Sequence, residues 1–453
     1  MTVALEPLLP PIPAMLLVLV VLGGLMLGLR TLQHRRRIHP ELSRKMLHVG
    51  MGFVTLTFPW LFGTAMWPVV LLGVLASASL YTLRRSSWLR ERFGGVLHGV
   101  SRDSLGEIYF PVGVAGLFFL ADGDTVSYII PVLLLALGDA VAALIGVRYG
   151  SLKYETGEGQ KSLEGSLAFL LVAFLSAHVP LLLATNTGRA ESLLIGLILG
   201  LLLTLIEAVA WRGLDNLFIP LGAFLLLRSF LPLGVLDLLV RLGVTLALVG
   251  FAVLYRRQTT LNSGAVLGSA LIAYLAWALG GWQWMVAPIT LFSTYALLFP
   301  RENRDGTSRT HDISDVLRAT GVGISWLFLA AAYDRPDFLL PYTVSFAAHL
   351  AIIGIIRLQE RFNRNEEGLV TAVAVIKSAL LMLVPYYLCA GPNSRPALVT
   401  LLVLAPVGTI VGIAGAHLSG IVPGDNPLKY RRWVLQLGVA IGSALTAKGI
   451  APW

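Results

Sequence analysis

The chain has 453 residues, of which 56% are hydrophobic and 13% charged, and its mean hydropathy is +0.78. A soluble domain carries roughly a quarter charged residues, so a soluble globular class is excluded. The formal net charge of +9 would suit a nucleic-acid partner, but the Arg and Lys residues sit in short loops between apolar runs, and that placement orients helices in a membrane instead.

Apolar runs of about 17–22 residues recur from end to end, long enough to cross a bilayer as helices. In chain order the predicted spans are 12–29, 46–60, 65–82, 105–121, 127–147, 163–184, 193–211, 217–231 and 235–254. The series continues with 264–280, 284–299, 317–333, 339–357, 369–389, 397–417 and 433–450. The expected fold is an all-α, polytopic helical bundle with about sixteen transmembrane helices. The first run, "PAMLLVLVVLGGLMLGLR", reads as a retained span, because no basic n-region precedes it and no small-x-small cleavage site follows. Two spans are irregular: 46–60 opens on polar residues, and 217–231 is short and holds Pro220. Both suit broken or re-entrant helices, tolerated where they line a protein cavity.

Every second loop is basic: 30–45, 83–104, 148–162, 212–216, 255–263, 300–316, 358–368 and 418–432. The turns between them, such as "TNTGRAES" and "GPNSRP", carry little charge. The basic loops therefore face the cytoplasm and both termini the other side, in a multi-pass protein of the cell (inner) membrane. Ionisable residues enter or abut several spans before residue 258, whereas after it the acidic residues lie mostly in loops. Two membrane domains are expected, 1–257 and 258–453, joined at "YRRQTTLNSG". The single cysteine, Cys389, excludes an intrachain disulfide and a cysteine-built metal site.

Chemistry concentrates on the cytoplasmic side of the first domain. Asp139 lies inside the fifth span, where a carboxylate costs several kcal/mol unless paired, hydrated or metal-bound. The bland alternative is an Asp that bonds a neighbouring helix across Gly138, Ala142 and Gly146. Gly146 and Gly150 let a backbone approach a ligand closely, and the loop "SLKYETGEGQKSLEGS" follows. Its Gly157 and Gly159 permit an anion-cradling turn, Lys161 offers a point charge for phosphate, and Ser162 can cap the sixth span. This is no Walker A loop, since Gln160 stands where that pattern needs Gly. Glu164 completes the cluster. Arg44 and His48 in "ELSRKMLHVG" share a helical face, and Arg44 and Lys45 suit either phosphate binding or simple membrane flanking. Glu107 opens the fourth span, as helix-start carboxylates often do. Glu207 lies inside the seventh span, and Asp215–Asn216 follow it, as a turn or as part of a hard-cation site with Asp139. Together these groups suggest phosphate chemistry on a lipid.

At these residues the sequence resembles the polyprenol kinase family, which includes phytol, farnesol and dolichol kinases. The matching segments are "RKMLHVG", "SLGEIYFP", "GDAVAALIGVRYG", "KSLEGSLAF" and "EAVAWRGLDNLFIPL", in the family's order over about residues 40–230. The resemblance implies transfer of the γ-phosphate, typically of CTP, to the hydroxyl of a long isoprenoid alcohol such as phytol or geranylgeraniol. It implies Mg²⁺ held by Asp139, Asp215 and Asn216, and nucleotide bound by Lys161, Ser162, Glu164, Gly146 and Gly150 together with Arg44, Lys45 and His48. Asp139, Glu207 and Lys161 are the expected catalytic groups, with Glu207 and Asp139 as candidates for the base and Glu107 an accessory carboxylate.

Phosphatidate cytidylyltransferases are similar in part, through a "GD…A…G…G" helix and a Lys-rich loop ending in Glu-Gly. Their Pro-Gly-His-Gly-Gly run is missing, and "GLDNLFIP" occupies that region. A CDP-lipid synthase is therefore the alternative reading, and a lipid transporter ranks below it for want of an internal repeat. The second half, from "LNSGAVLGSALIAYLAWALGG" to "HDISDVLRATGVG", weakly resembles the phytyl-phosphate kinase family. That family's Asp-Thr-x-x-Ser-Glu segment has no counterpart in "LPYTVSFAAHLAII", so a catalytically silent or repurposed half is expected. The expected partners are an isoprenoid alcohol, a nucleotide and the bilayer, with no nucleic acid.

Overall fold

A computed structural model describes residues 6–36, 40–85, 105–156, 159–209, 212–255, 263–298, 313–359, 367–389 and 438–446. It is all-α apart from one short hairpin among those residues. Eight described helices are long and apolar enough, by length and composition, to cross a membrane, and two shorter ones, Gly106–Ala121 and Gly264–Gly280, are also apolar. The chain is thus a polytopic helical membrane protein. The predicted span 397–417 and half of 433–450 lie outside the described residues, as do Gly157 and most of loop 83–104.

Contacts divide the chain into two compact units, Met1–Phe251 and Ala252–Trp453. The first begins with α1 (Pro11–Arg36), α2 (Pro40–Leu56), α3 (Phe58–Phe62), α4 (Met66–Arg85) and α5 (Gly106–Ala121). The predicted span 46–60 is broken between α2 and α3, where Pro59, which lacks an N–H, sits in the first turn of the new helix. The expected break in 217–231 is absent, and the helix Asp215–Phe230 runs on through Pro220. Next comes α6 (Thr125–Tyr149), started by the Asp124 side chain, which accepts from the Val126 and Ser127 amides. Within it, Leu134–Gly138 form a π-turn.

The polar loop of the sequence folds into β1 (Lys153–Thr156) and β2 (Gly159–Ser162), antiparallel, with Tyr154 opposite Lys161 and Lys153 opposite Ser162. Then follow α7 (Leu163–Ala184), α8 (Arg189–Val209), α9 (Asp215–Phe230) and α10 (Val235–Tyr255). Helices α7 and α8 pack closely because a Cβ on Gly196 would sit 3.1 Å from Phe174, and one on Gly200 3.1 Å from Leu170. Small residues four apart are a membrane solution to helix packing, where lipid supplies no hydrophobic drive. The core of this unit holds Leu134, Leu135, Phe169, Ile195, Leu199 and Leu227, all nearly inaccessible.

The second unit contains α11 (Ser263–Gly280), α12 (Trp282–Leu298), α13 (Ile313–Tyr333), α14 (Leu339–Gln359) and α15 (Glu367–Cys389). Helix α14 is buried along most of its length, and its Tyr342 hydroxyl donates to the Trp284 carbonyl at 2.8 Å. That bond satisfies a phenol that apolar surroundings would otherwise strand.

Candidate functional site

Five elements of the first unit bring their polar residues together. From α2, Lys45 reaches across to Asp139 of α6, Nζ to Oδ2 at 2.5 Å, with side chains 7% and 20% exposed. One turn on, His48 Nε2 lies 3.1 Å from the Leu135 carbonyl oxygen in the π-turn. A carbonyl only accepts, so Nε2 carries the proton. The His48 ring also packs against Phe110 on α5 in a T-shaped arrangement, centroids 5.0 Å apart.

A second ion pair joins β2 to α8. Lys161 Nζ donates to Glu207 Oε1 at 2.7 Å and also to the Glu207 backbone carbonyl. Burial works against the Lys161 charge, but the Glu207 carboxylate, by charge and by hydrogen bond, outweighs it and holds the ammonium above the ordinary lysine value. Tyr154, opposite Lys161 in the hairpin, bonds Ser166 Oγ at 2.7 Å, and burial raises its hydroxyl above the usual tyrosine value.

Asp215 and Asn216 open α9 beside these pairs. Asp215 interacts electrostatically with Asp139, Lys161, Lys45 and His48, and Glu207 with Lys161, Asp139 and Asp215. Asp215 Oδ1 and Asn216 Oδ1 are buried with no hydrogen-bond partner. Buried oxygens are costly without a partner, which makes these two the clearest mark of where a ligand would be held. Arg44 lies close enough for its charge to act on both Asp139 and Glu107. Among the described residues no three His, Cys, Asp or Glu side chains make an all-protein metal cage. The donors here are two carboxylates and an amide oxygen, a hard set that fits Mg²⁺, which commonly takes one or two carboxylates plus phosphates and water.

Four of the predicted nucleotide residues have structural work in this arrangement. Ser162 caps α7 by accepting from the Gly165 amide at 3.1 Å. A Cβ on Gly146 would lie 3.1 Å from Ser162 Oγ, and one on Gly150 2.7 Å from both Ser162 Cβ and Oγ. These glycines therefore let α6 cross the start of α7. Glu164 turns aside: its Oε1 accepts from the Ser151 amide at 3.1 Å, the Leu152 amide at 3.2 Å and the Ser151 hydroxyl. It pins the segment entering the hairpin. Sequence reasoning missed Tyr154, whose only signal was an aromatic in a polar loop, and the Leu135 carbonyl, which has no side-chain signal at all.

The chain is similar to the curated protein "Phytol kinase" of Synechocystis sp. (strain ATCC 27184 / PCC 6803 / Kazusa), 30% identical over 217 residues. The match takes in 47% of this chain and 90% of that protein. No family model matches the chain, and no solved structure does.

Proposed function

The chain belongs to the polyprenol/phytol kinase family and is a kinase that phosphorylates an alcohol, and from that premise we propose that it transfers the γ-phosphate of CTP to a long-chain isoprenoid alcohol such as phytol or geranylgeraniol. The reaction runs at the cytoplasmic face of the inner membrane, in a bundle of about sixteen spans. The observation that carries the reading is the grouping of Lys45–Asp139, Lys161–Glu207 and the unpartnered oxygens of Asp215 and Asn216. Phosphoryl transfer asks for positioning and charge neutralisation, and a buried and a half-buried lysine beside three carboxylates supply both.

Asp139, Asp215 and Asn216 would hold Mg²⁺, which when bound supplies neutralisation of charge on the phosphate oxygens. Lys161 and Lys45, with Arg44, take the phosphates. Gly146, Gly150 and Ser162 shape the crossing beneath them, and Glu107 balances Arg44. With Asp139 given to the metal, Glu207 is the carboxylate that accepts the alcohol proton, as Lys161 leaves it for phosphate. The alcohol enters sideways from the bilayer, so the hydroxyl meets the nucleotide at the membrane surface.

Purified protein would be incubated with Mg²⁺, mixed prenyl alcohols and phosphatidate, using CTP labelled at the α or the γ position. Label from the γ position alone should enter the organic extract, and Asp139→Asn should lower it roughly 100- to 1000-fold. Transfer of the α label would instead identify a CDP-lipid synthase.

A further inference from the structure

A π-turn runs i→i+5 and so uses one residue more than an α-turn, leaving a carbonyl without its usual amide. In α6 that turn is Leu134–Gly138, and the residue that follows it is Asp139. Each residue advances an α-helix by about 100°. The extra residue therefore decides which face of α6 carries Asp139, Gly146 and Gly150.

Helix α2 is fitted to this turn. Lys45, His48 and Gly52 recur at three- and four-residue spacing, on one face. Lys45 takes Asp139, His48 takes the Leu135 carbonyl, and a Cβ on Gly52 would collide with the Ala136 side chain. His48 is itself held from behind by Phe110, which is 3% exposed. Its protonated nitrogen thus points into the α6 backbone and not toward the unpartnered Asp215 and Asn216 oxygens.

We propose that His48 is a positioning residue that locks the π-turn of α6 and so sets Asp139 in its catalytic place, without itself touching nucleotide. This rests on the kinase reading for the role of Asp139, while the lock between His48 and the π-turn stands on geometry alone.

The test compares His48→Ala and His48→Gln, since the Gln amide can restore a donor to the Leu135 carbonyl. Amide hydrogen exchange is followed over residues 133–141 in detergent-solubilised protein, beside steady-state kinetics. In His48→Ala, exchange in that segment should rise roughly fivefold to tenfold, and His48→Gln should stay near wild type. The kcat of His48→Ala should fall about 100-fold with an unchanged KM for CTP, and the Gln variant should recover most of it. Adding His48→Ala to Asp139→Asn should cost nothing further. A rise in the KM for CTP with exchange unaltered would overturn the proposal and make His48 a nucleotide contact. Equal exchange in all three proteins would overturn it too. If no alcohol is phosphorylated by wild type, the kinase reading fails, and the exchange comparison still decides whether the lock exists.

Discussion

Lys45 and Lys161 solve one electrostatic problem at two places, each neutralising a carboxylate that apolar helices surround. Removing one partner strands the other, so Lys45→Met should destabilise the protein by about 3 kcal/mol, and Lys45→Met with Asp139→Asn by clearly less. Thermal unfolding in detergent, read as the Tm of each variant, checks this. Lys161 adds a pH signature. Its charge is favoured in the folded protein, so its contribution is complete below the ordinary lysine value of 10.5 and fades as pH rises through the higher folded value. The stability gap between wild type and Lys161→Met should therefore stay constant at neutral pH and close only above that value, as alkaline unfolding curves would reveal. A charged residue inside an apolar run is conspicuous, which is why Asp139 and Glu207 were legible from the sequence, while Lys161 stood out by its place in a glycine-containing loop. Their pairing was not, because partners 94 and 46 positions apart leave no local trace. Glu164 shows the opposite limit: its place in the motif suggested nucleotide, and its hydrogen bonds serve the neighbouring turn.

At the scale of elements, the crossing of α6 over the start of α7 has no room to spare. Gly150→Ala would force a methyl against Ser162 and should cost about 1–3 kcal/mol. Gly23→Ala, in the middle of α1 with nothing within 4 Å, should be neutral or stabilising by up to ~1 kcal/mol. Parallel Tm and kcat measurements on the two variants separate a packing constraint from a general helix effect. Helix periodicity and apolar length were readable because each span repeats its signal over many residues. The hairpin was missed because four-residue strands rich in polar side chains carry little alternation, and a glycine-containing polar sequence reads equally well as a loop. The π-turn "LLALG" was invisible, since its residues would suit an α-helix as well.

At the scale of the molecule, the paired lysines and carboxylates all lie in the unit Met1–Phe251. The Synechocystis relative is matched over nine-tenths of its length by less than half of this chain. Residues 1–257 expressed alone in membranes should therefore retain phosphorylation of a prenyl alcohol, measured by γ-label transfer. Loss of activity in a correctly inserted fragment would bring the second unit into the reaction. The π-turn bears on how such relatives are compared at all. A chain whose sixth helix runs regularly would be one residue shorter between Leu133 and Asp139, so an ungapped alignment would set a neighbour against the carboxylate. One gap in that stretch restores the correspondence, and its presence or absence sorts relatives by architecture where identity alone would not.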